Sequence, residues 1–355
     1  MRMPEKVLMK GNEALAEAAI IAGCRHFFGY PITPQTEVAA HMAKRMPKIG
    51  GTYLQAESEV AAINMVLGAS AAGVRAMTSS SSPGISLKAE GFSYLAGSDL
   101  PALIVNVQRA GPGLGGIQPS QADYTQATKA PGHGDFRMIV FAPSTVQEMV
   151  DLVADAFDLG DRYRMPAMIL SDGLLGQMME PVTIDENKKV ILPEKPWATN
   201  GHGNKRKHNI VNSLYIDPPN MEEITKARYK RYKELEDKEQ RCEEYRTEDA
   251  DVIVVAYGAS ARISRSAVDA ARKENIKAGL IRPITLWPYP KKAIESRVKT
   301  AKAFLCVEMS MGQMVDDVRL AVNGRKDVRF FGRTGGMVPT PAEVLAEIKK
   351  IKGGI

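Results

Sequence analysis

Residues 138–170 read MIVFAPSTVQEMVDLVADAFDLGDRYRMPAMIL, and the fold is decided by this stretch. Its two ends, residues 138–141 and 167–170, are unbroken apolar runs, the pattern of strands buried on both faces of a sheet. Residues 144–159 between them repeat with helical period. Val146, Met149, Val150, Val153 and Phe157 fall on one face, Ser144 and Gln147 have capping-box spacing, and Gly160 is placed to end the helix. Working outward, residues 26–29, 52–55, 75–79 and 102–107 are further strand candidates separated by amphipathic stretches. Strand and helix in regular alternation predict an α/β fold, a doubly wound parallel sheet with helices on both faces, over residues 1–182.

Past residue 182 the alternation stops. Residues 183–249 hold prolines, the basic run Lys205-Arg206-Lys207-His208 and a highly charged, weakly amphipathic stretch over 221–247. They read as a charged linker whose helix lies on the surface or bridges domains. A second, smaller α/β unit occupies 250–355, with strands expected at 252–256, 278–281 and 303–307 and a helix running to about Lys273. Thr340, Pro341 and Glu343 mark the start of a last helix by N-cap, first-turn proline and capping-box acid.

Composition narrows the function classes. The 355 residues suit two domains. With 47 basic and 41 acidic residues the net charge is +6, and the basic run has no interleaved aromatics, so it reads as a solvated loop and no nucleic-acid partner is expected. No run of eighteen or more apolar residues occurs, so no membrane span is expected. Met1-Arg2-Met3-Pro4-Glu5-Lys6 leads into a polar-dotted segment, not an apolar signal core, and a cytoplasmic location is the expectation. Cys24, Cys242 and Cys306 are far apart with no CxxC, and the five histidines have no helical ligand spacing. Neither a disulfide framework nor a metal site is expected in this chain.

In an open parallel sheet, ligands bind beyond the carboxyl ends of the strands. The loops expected there are Tyr30-Pro31-Ile32-Thr33-Pro34, Ala56-Glu57-Ser58-Glu59, Thr78-Ser79-Ser80-Ser81-Ser82-Pro83-Gly84 and Gln108-Arg109-Ala110-Gly111-Pro112. Each has an ordinary reading as well. Prolines around Thr33 equally fix a turn, serines make a flexible loop, Arg109 suits a surface, and Glu57 and Glu59 complement a helix dipole. Hydroxyls, carboxylates and one arginine on a single sheet edge form a constellation that no one loop makes alone.

That set resembles the 2-oxoacid:ferredoxin oxidoreductase family, in the subunit that holds the pyrimidine end of thiamine diphosphate. The resemblance covers residues 5–182, and 250–350 is similar to that family's second, transketolase C-terminal-like domain. It implies that Glu59 hydrogen-bonds the cofactor's pyrimidine ring nitrogen, with Glu57 as the fallback. A shared proton there favours the imino form of the aminopyrimidine, which can take the proton from the thiazolium carbon. For Glu59 to carry that proton, it must be buried enough to outweigh the helix N-terminus beside it. Thr33 and Arg109 are implied to face the 2-oxo and carboxylate groups of the substrate, since a guanidinium fork matches a carboxylate. Tyr30, Pro31, Ser82 and Pro83 are implied cofactor contacts.

The implied reaction is coenzyme A-dependent oxidative decarboxylation of a 2-oxoacid to acyl-CoA, carbon dioxide and reduced ferredoxin. The magnesium–diphosphate motif has only a poor match here, Ser171-Asp172-Gly173 with Asn200. Thiamine diphosphate is therefore expected to be shared with a partner subunit bringing the Mg2+ site. A ferredoxin-like partner would carry the iron–sulfur clusters, and a gamma-type subunit is a further candidate. The wording of residues 80–90 and 111–124 is most like the 2-ketoisovalerate branch. A 2-oxoglutarate enzyme would need an extra cation, for which Lys88, Lys129 and His133 are available, and a pyruvate enzyme remains an alternative. Glu308-Met309-Ser310-Met311-Gly312-Gln313 reads as structural or interfacial. Two rival functions stay open: another thiamine-dependent enzyme or fragment, and a non-catalytic scaffold subunit. Exposure of Glu59, with Arg109 turned away from Thr33, would favour the scaffold.

Overall fold

A parallel sheet needs both faces covered, and the chain covers both. The computed structural model describes residues 6–185 and 190–354. The N-terminal reading at residues 1–5 lies outside them. The first part of the chain runs β1 (Lys6–Lys10), α1 (Gly11–Ile21), β2 (His26–Gly29), α2 (Thr36–Arg45), β3 (Thr52–Gln55), α3 (Glu59–Ala71), β4 (Ala76–Ser80) and α4 (Ser82–Gly97). It continues with β5 (Leu103–Gln108), α5 (Tyr124–Thr128), β6 (Ile139–Phe141), α6 (Val146–Tyr163), β7 (Ala167–Asp172), α7 (Gly173–Gln177) and β8 (Met179–Thr183). The later part holds α8 (Pro218–Lys238), β9 (Cys242–Tyr245), β10 (Val252–Val255), α9 (Gly258–Lys273), β11 (Ala278–Pro283), β12 (Thr285–Trp287) and α10 (Lys291–Arg297). It closes with β13 (Ala303–Glu308), α11 (Met314–Val322), β14 (Asp327–Gly332) and α12 (Pro341–Gly353).

The first sheet has the order β12-β6-β7-β5-β4-β2-β3, and the second β14-β13-β10-β11-β9. In the first, β2 to β7 are mutually parallel, so their carboxyl ends share one edge. The path from β2 to β3 steps one way along the sheet, and the paths into β4 and β5 step the other. Right-handed crossovers then put α2 on one face and α3 and α4 on the other. The packing agrees: α1 lies against α2 and α6, and α3 against α4. The order reverses between β2 and β4, which makes the loops leaving them the ligand-binding crevice of such a sheet.

The stretch 138–170 folds as strand, helix and strand, with two local corrections. The cap is Thr145, whose hydroxyl accepts the Glu148 N–H at 3.1 Å, while the Glu148 carboxylate takes the Ser144 N–H at 2.7 Å. The helix also passes through Gly160 and ends at Arg164, which takes the left-handed conformation at φ 51°. Gly160 instead sits close to the chain beyond the helix, where a Cβ would stand 3.1 Å from the Met165 carbonyl oxygen. The last helix starts as read, with Thr340 and Glu343 capping each other at 2.8–3.2 Å.

Two elements tie the later part to the first. In the second sheet, Ile253, Val255, Ile281, Phe304 and Cys306 turn toward a core continuous with the first sheet, whereas Val252, Val254, Leu280 and Leu305 form a separate cluster. This is period-two alternation with both sides buried. β12 then leaves the second region and pairs antiparallel with β6, Thr285 opposite Phe141. Its Trp287, 6% exposed, meets Tyr232 edge to face at 5.7 Å. Tyr232 belongs with Arg228 and Leu235 to the one buried stripe of the charged helix α8. The helix packs this stripe against Trp287 and, through Arg228, against Asp99, and leaves most of its remaining surface exposed. Truncating Trp287 to Ala should lower the unfolding free energy by about 3–5 kcal/mol, whereas Leu320→Ala on an exposed face should change it by about 0.5 kcal/mol or less. Denaturant titration of both variants measures this, and equal midpoints would show that the seam at Trp287 is not what holds the parts together.

Candidate functional site

The loops after β2 and β4 meet where the strand order reverses. Gln35, fully buried, links them: its side-chain oxygen accepts the Ser79 hydroxyl at 2.5 Å and its amide donates to the Tyr30 carbonyl at 3.4 Å. Tyr30, Pro31 and Thr33 are left exposed on this edge.

Glu59 is the first residue of α3, after Ser58, whose hydroxyl accepts the Ala61 N–H at 3.1 Å. It is 6% exposed, while Glu57 two residues earlier is exposed. The burial comes from α4. A Cβ added to Gly84 would stand 2.6 Å from the Glu59 Oε1 and closer still to the Ser80 hydroxyl, so any larger residue would have to displace both side chains. Further along, Gly91 meets Ile63 at 2.5 Å in the same sense. Gly84, Lys88 and Gly91 are spaced along one helical face, and Glu59 and Ile63 along the opposing one. Lys88 lies between the two glycines and is fully buried. Its ammonium has no hydrogen-bond partner. Burial pushes it down to about 8, and Glu59 is the charge pulling it back up.

Arg109, 6% exposed, directly follows β5 and points at Thr33: Nη1 donates to the Thr33 carbonyl at 2.9 Å and Nη2 to the Leu114 carbonyl at 2.9 Å. Its Nε–H is buried without a partner. Glu59 is therefore buried and Arg109 faces Thr33, the opposite of what the scaffold reading needs. Ser82 is engaged inside the protein, since its hydroxyl donates to Asp123 at 2.6 Å and accepts the Arg109 N–H at 3.0 Å. Pro83 lies in the first turn of α4. Asp123 also accepts from Asn106 at 2.9 Å, and burial pushes its carboxyl up against those two bonds. A cleft of about 700 Å³ opens beside Thr33, walled by Glu37, Gln118, Gln177 and Gly336.

Of the cations weighed for a distal carboxylate, none lines that cleft. Lys129 pairs with Asp317 at 2.6 Å. His133 sits by Ser93, more than two turns down α4 and hence toward the opposite sheet edge. The sequence reading missed Gln35, Asn106 and Asp123. Asn106, a polar residue inside the apolar run of β5, was the one legible signal among them. Lys88, on a stripe of small and apolar residues, was weighed only as a substrate contact.

Three comparisons with known proteins bear on this site. The model of the family described as pyruvate flavodoxin/ferredoxin oxidoreductase, thiamine diP-binding, matches residues 17–246, and that for pyruvate:ferredoxin oxidoreductase core domain II matches 250–344. The chain belongs to this family. It is 49% identical to a ketoisovalerate oxidoreductase subunit, VorB, of Methanothermobacter marburgensis, over 98% of each chain. A solved structure of 2-oxoglutarate:ferredoxin oxidoreductase from Magnetococcus marinus, with 2-oxoglutarate, coenzyme A and succinyl-CoA bound, superposes with TM-score 0.86 at 29% identity. That match covers 98% of this chain and 65% of the other, so the chain spans about two thirds of that longer protein. A split-gene transketolase matches with TM-score 0.57 at 14% identity over 96% and 97%, a likeness of fold alone.

The residues present fit the family's cofactor. Buried polar atoms without partners lie on this edge: the hydroxyls of Ser80, beside the Gly84 cradle, and of Ser81, and the Arg109 Nε just past the end of β5. Ser171-Asp172-Gly173 serves another purpose. The Asp172 carboxylate caps α7 through the Leu174 and Leu175 N–H groups at 2.9 and 3.1 Å. Glu308, fully buried, holds the N–H groups of Gln313, Met314 and Val315 at 3.0–3.2 Å and the Ser310 hydroxyl at 3.0 Å. The loop it shapes grips the first part of the chain: Met309 exchanges bonds with Gln121 at 2.9 and 3.0 Å, and Gln313 donates to the Ala122 carbonyl at 2.6 Å. These bonds set the segment against residues 121 and 122 of the first part of the chain.

Burial also raises the Asp172 carboxyl from 3.8 to about 6, against the backbone N–H groups it accepts. Between those values the folded chain keeps a proton that the unfolded chain releases. This residue's contribution to stability is thus complete below about pH 4 and lost as pH rises through 6. Asp172→Asn keeps a capping oxygen and removes the titration. The stability-against-pH curve should flatten between pH 4 and 6 by on the order of 2–3 kcal/mol. Thermal unfolding across that range reads it, and an unchanged curve would refute the assignment.

Proposed function

We propose that this chain is the pyrimidine-binding subunit of a 2-oxoacid:ferredoxin oxidoreductase, with residues 1–182 as the pyrimidine-binding domain, 183–249 as linker and 250–355 as the transketolase-like domain. The observation that carries the reading is Glu59, buried at the reversal point of the sheet beside the Arg109–Thr33 contact. Thiamine diphosphate, when bound, supplies the electron sink for decarboxylation. Glu59 holds the proton shared with the pyrimidine ring nitrogen, and the α3–α4 contact fixes its carboxyl and excludes water. Arg109 is locked by two backbone carbonyls and offers its remaining donors to the substrate carboxylate beside Thr33. Tyr30, Pro31 and Pro83 form the rim of the cofactor cleft.

The diphosphate with its Mg2+ and the iron–sulfur clusters belong to partner subunits. Their docking is supported by the exposed apolar side chains Tyr30, Leu54, Val60, Leu87, Leu114 and Ile117 on the elements around the site. The complex is cytoplasmic in this reading. Three free cysteines fit that location, and no helix among the described residues is long and apolar enough to cross a membrane. The substrate is 2-ketoisovalerate, giving the acyl-CoA, carbon dioxide and reduced ferredoxin. The identity to the ketoisovalerate subunit supports this, as does the lack of a candidate distal cation lining the Thr33 cleft.

The chain co-expressed with its partner subunits should reduce a low-potential dye, dependent on coenzyme A, faster with 2-ketoisovalerate than with pyruvate or 2-oxoglutarate. Glu59→Gln should lower kcat by roughly 10²–10⁴-fold. Arg109→Lys, which loses the planar fork, should lower kcat/KM by roughly a hundredfold. Gly84→Ala should weaken cofactor binding by displacing Glu59. A loaded complex inactive with all three acids would end the oxidoreductase reading.

A further inference from the structure

Lys88 is a buried cation that the proposed chemistry leaves without a task. Fully buried on α4 with an unpartnered ammonium, it is costly: an isolated charge taken out of water without hydrogen bonds destabilises a fold, and methionine would fill much the same volume. Its position is specific. The same helical face carries Gly84 one turn earlier, against the Glu59 carboxylate, and Gly91 one turn later, against Ile63. Lys88 is thus held at the level of the α3 turn that Glu59 opens. Glu59 is the acidic side chain whose charge acts on it. The Ser80 and Ser81 hydroxyls nearby have no hydrogen-bond partner among the described residues.

We propose that Lys88 is a positioning residue for Glu59: its ammonium stabilises the Glu59 carboxylate and so moves the shared proton from the Glu59 carboxyl oxygen toward the pyrimidine ring nitrogen. This rests on the reading of Glu59 as the pyrimidine partner. Lys88 keeps its own proton throughout and touches neither cofactor nor substrate. A positive charge nearby makes a carboxylic acid a stronger one, so Lys88 makes Glu59 the better donor to a weakly basic ring nitrogen. The buried charge is retained at the expense of stability for that purpose.

The test uses the complex assembled with its partner subunits and loaded with thiamine diphosphate, in four forms: wild type, Lys88→Met, Glu59→Gln and the double variant. The readouts are the hydrogen–deuterium exchange rate of the thiazolium C2 position, cofactor affinity by calorimetry, and Tm. Lys88→Met should leave Tm unchanged or raised and slow the exchange by about tenfold or more. In the Glu59→Gln background the same substitution should have no further effect, because the lysine acts through the glutamate. If Glu59→Gln exchanges and binds as wild type does, the cofactor reading falls and this inference with it. If Glu59→Gln is slow but Lys88→Met exchanges at the wild-type rate, the inference alone is overturned. Equal slowing by Lys88→Met in both backgrounds, or slowing with a lowered Tm, makes Lys88 structural and also overturns it. Should the methionine variant not assemble, Lys88→Gln carries the same expectations.

Discussion

The contact between α3 and α4 is the constraint on which the site depends. Two helices on one sheet face, here those that follow β3 and β4, pack at ordinary distance unless small residues let them closer. Here Gly84 and Gly91 do so, and the space they free is filled by the Glu59 carboxylate and the Ile63 side chain. A carboxylate on the first turn of a helix would ordinarily face water, where the helix N-terminus favours its charge. Pressed against a second helix start it is instead 6% exposed. Burial, not residue type, separates Glu59 from Glu57, two positions away on the same loop.

The second constraint is the seam between the two sheets. A lone charged side chain, Glu308, gathers the backbone N–H groups that open α11, and the loop so formed holds Gln121. Gln121 also donates to the Tyr257 carbonyl at 2.9 Å and accepts the Ser260 hydroxyl at 2.6 Å. Tyr124 reaches Asp317 at 2.5 Å just beyond. The segment running from Arg109 to Tyr124 is thereby anchored at both ends, at Thr33 by the guanidinium and on the second sheet by Gln121. Its glycines allow the exposed excursion between. At Gly115, with φ at +60°, a Cβ would overlap the Ala110 carbonyl. The second sheet thus holds one end of the segment whose other end is Arg109.

Much of this was legible from the amino-acid order. Parallel strands buried on both faces read as unbroken apolar runs, which located β5 and the strands flanking α6. The motif loops followed because the carboxyl ends of such strands share one edge. Other elements were not legible. β1 and β8 pair antiparallel with each other, β12 crosses to the first sheet, and β9 is an antiparallel edge of the second. Their side chains carry no clear periodicity, and only partners distant in sequence make them strands. The cap at Thr145 escaped notice for a related reason: adjacent Ser and Thr offer the same hydroxyl, and backbone geometry alone selects between them.

By itself the sequence determined the doubly wound sheet, the edge on which the motif loops gather and the residue types found there, because apolar periodicity and turn residues are local properties. Only the tertiary structure decided which acid is buried, that Arg109 turns to Thr33 and Ser82 to Asp123, and that Lys88 stands without a partner at the level of Glu59. Burial and electrostatic environment are sums over neighbours far apart in the chain, and no local pattern encodes them.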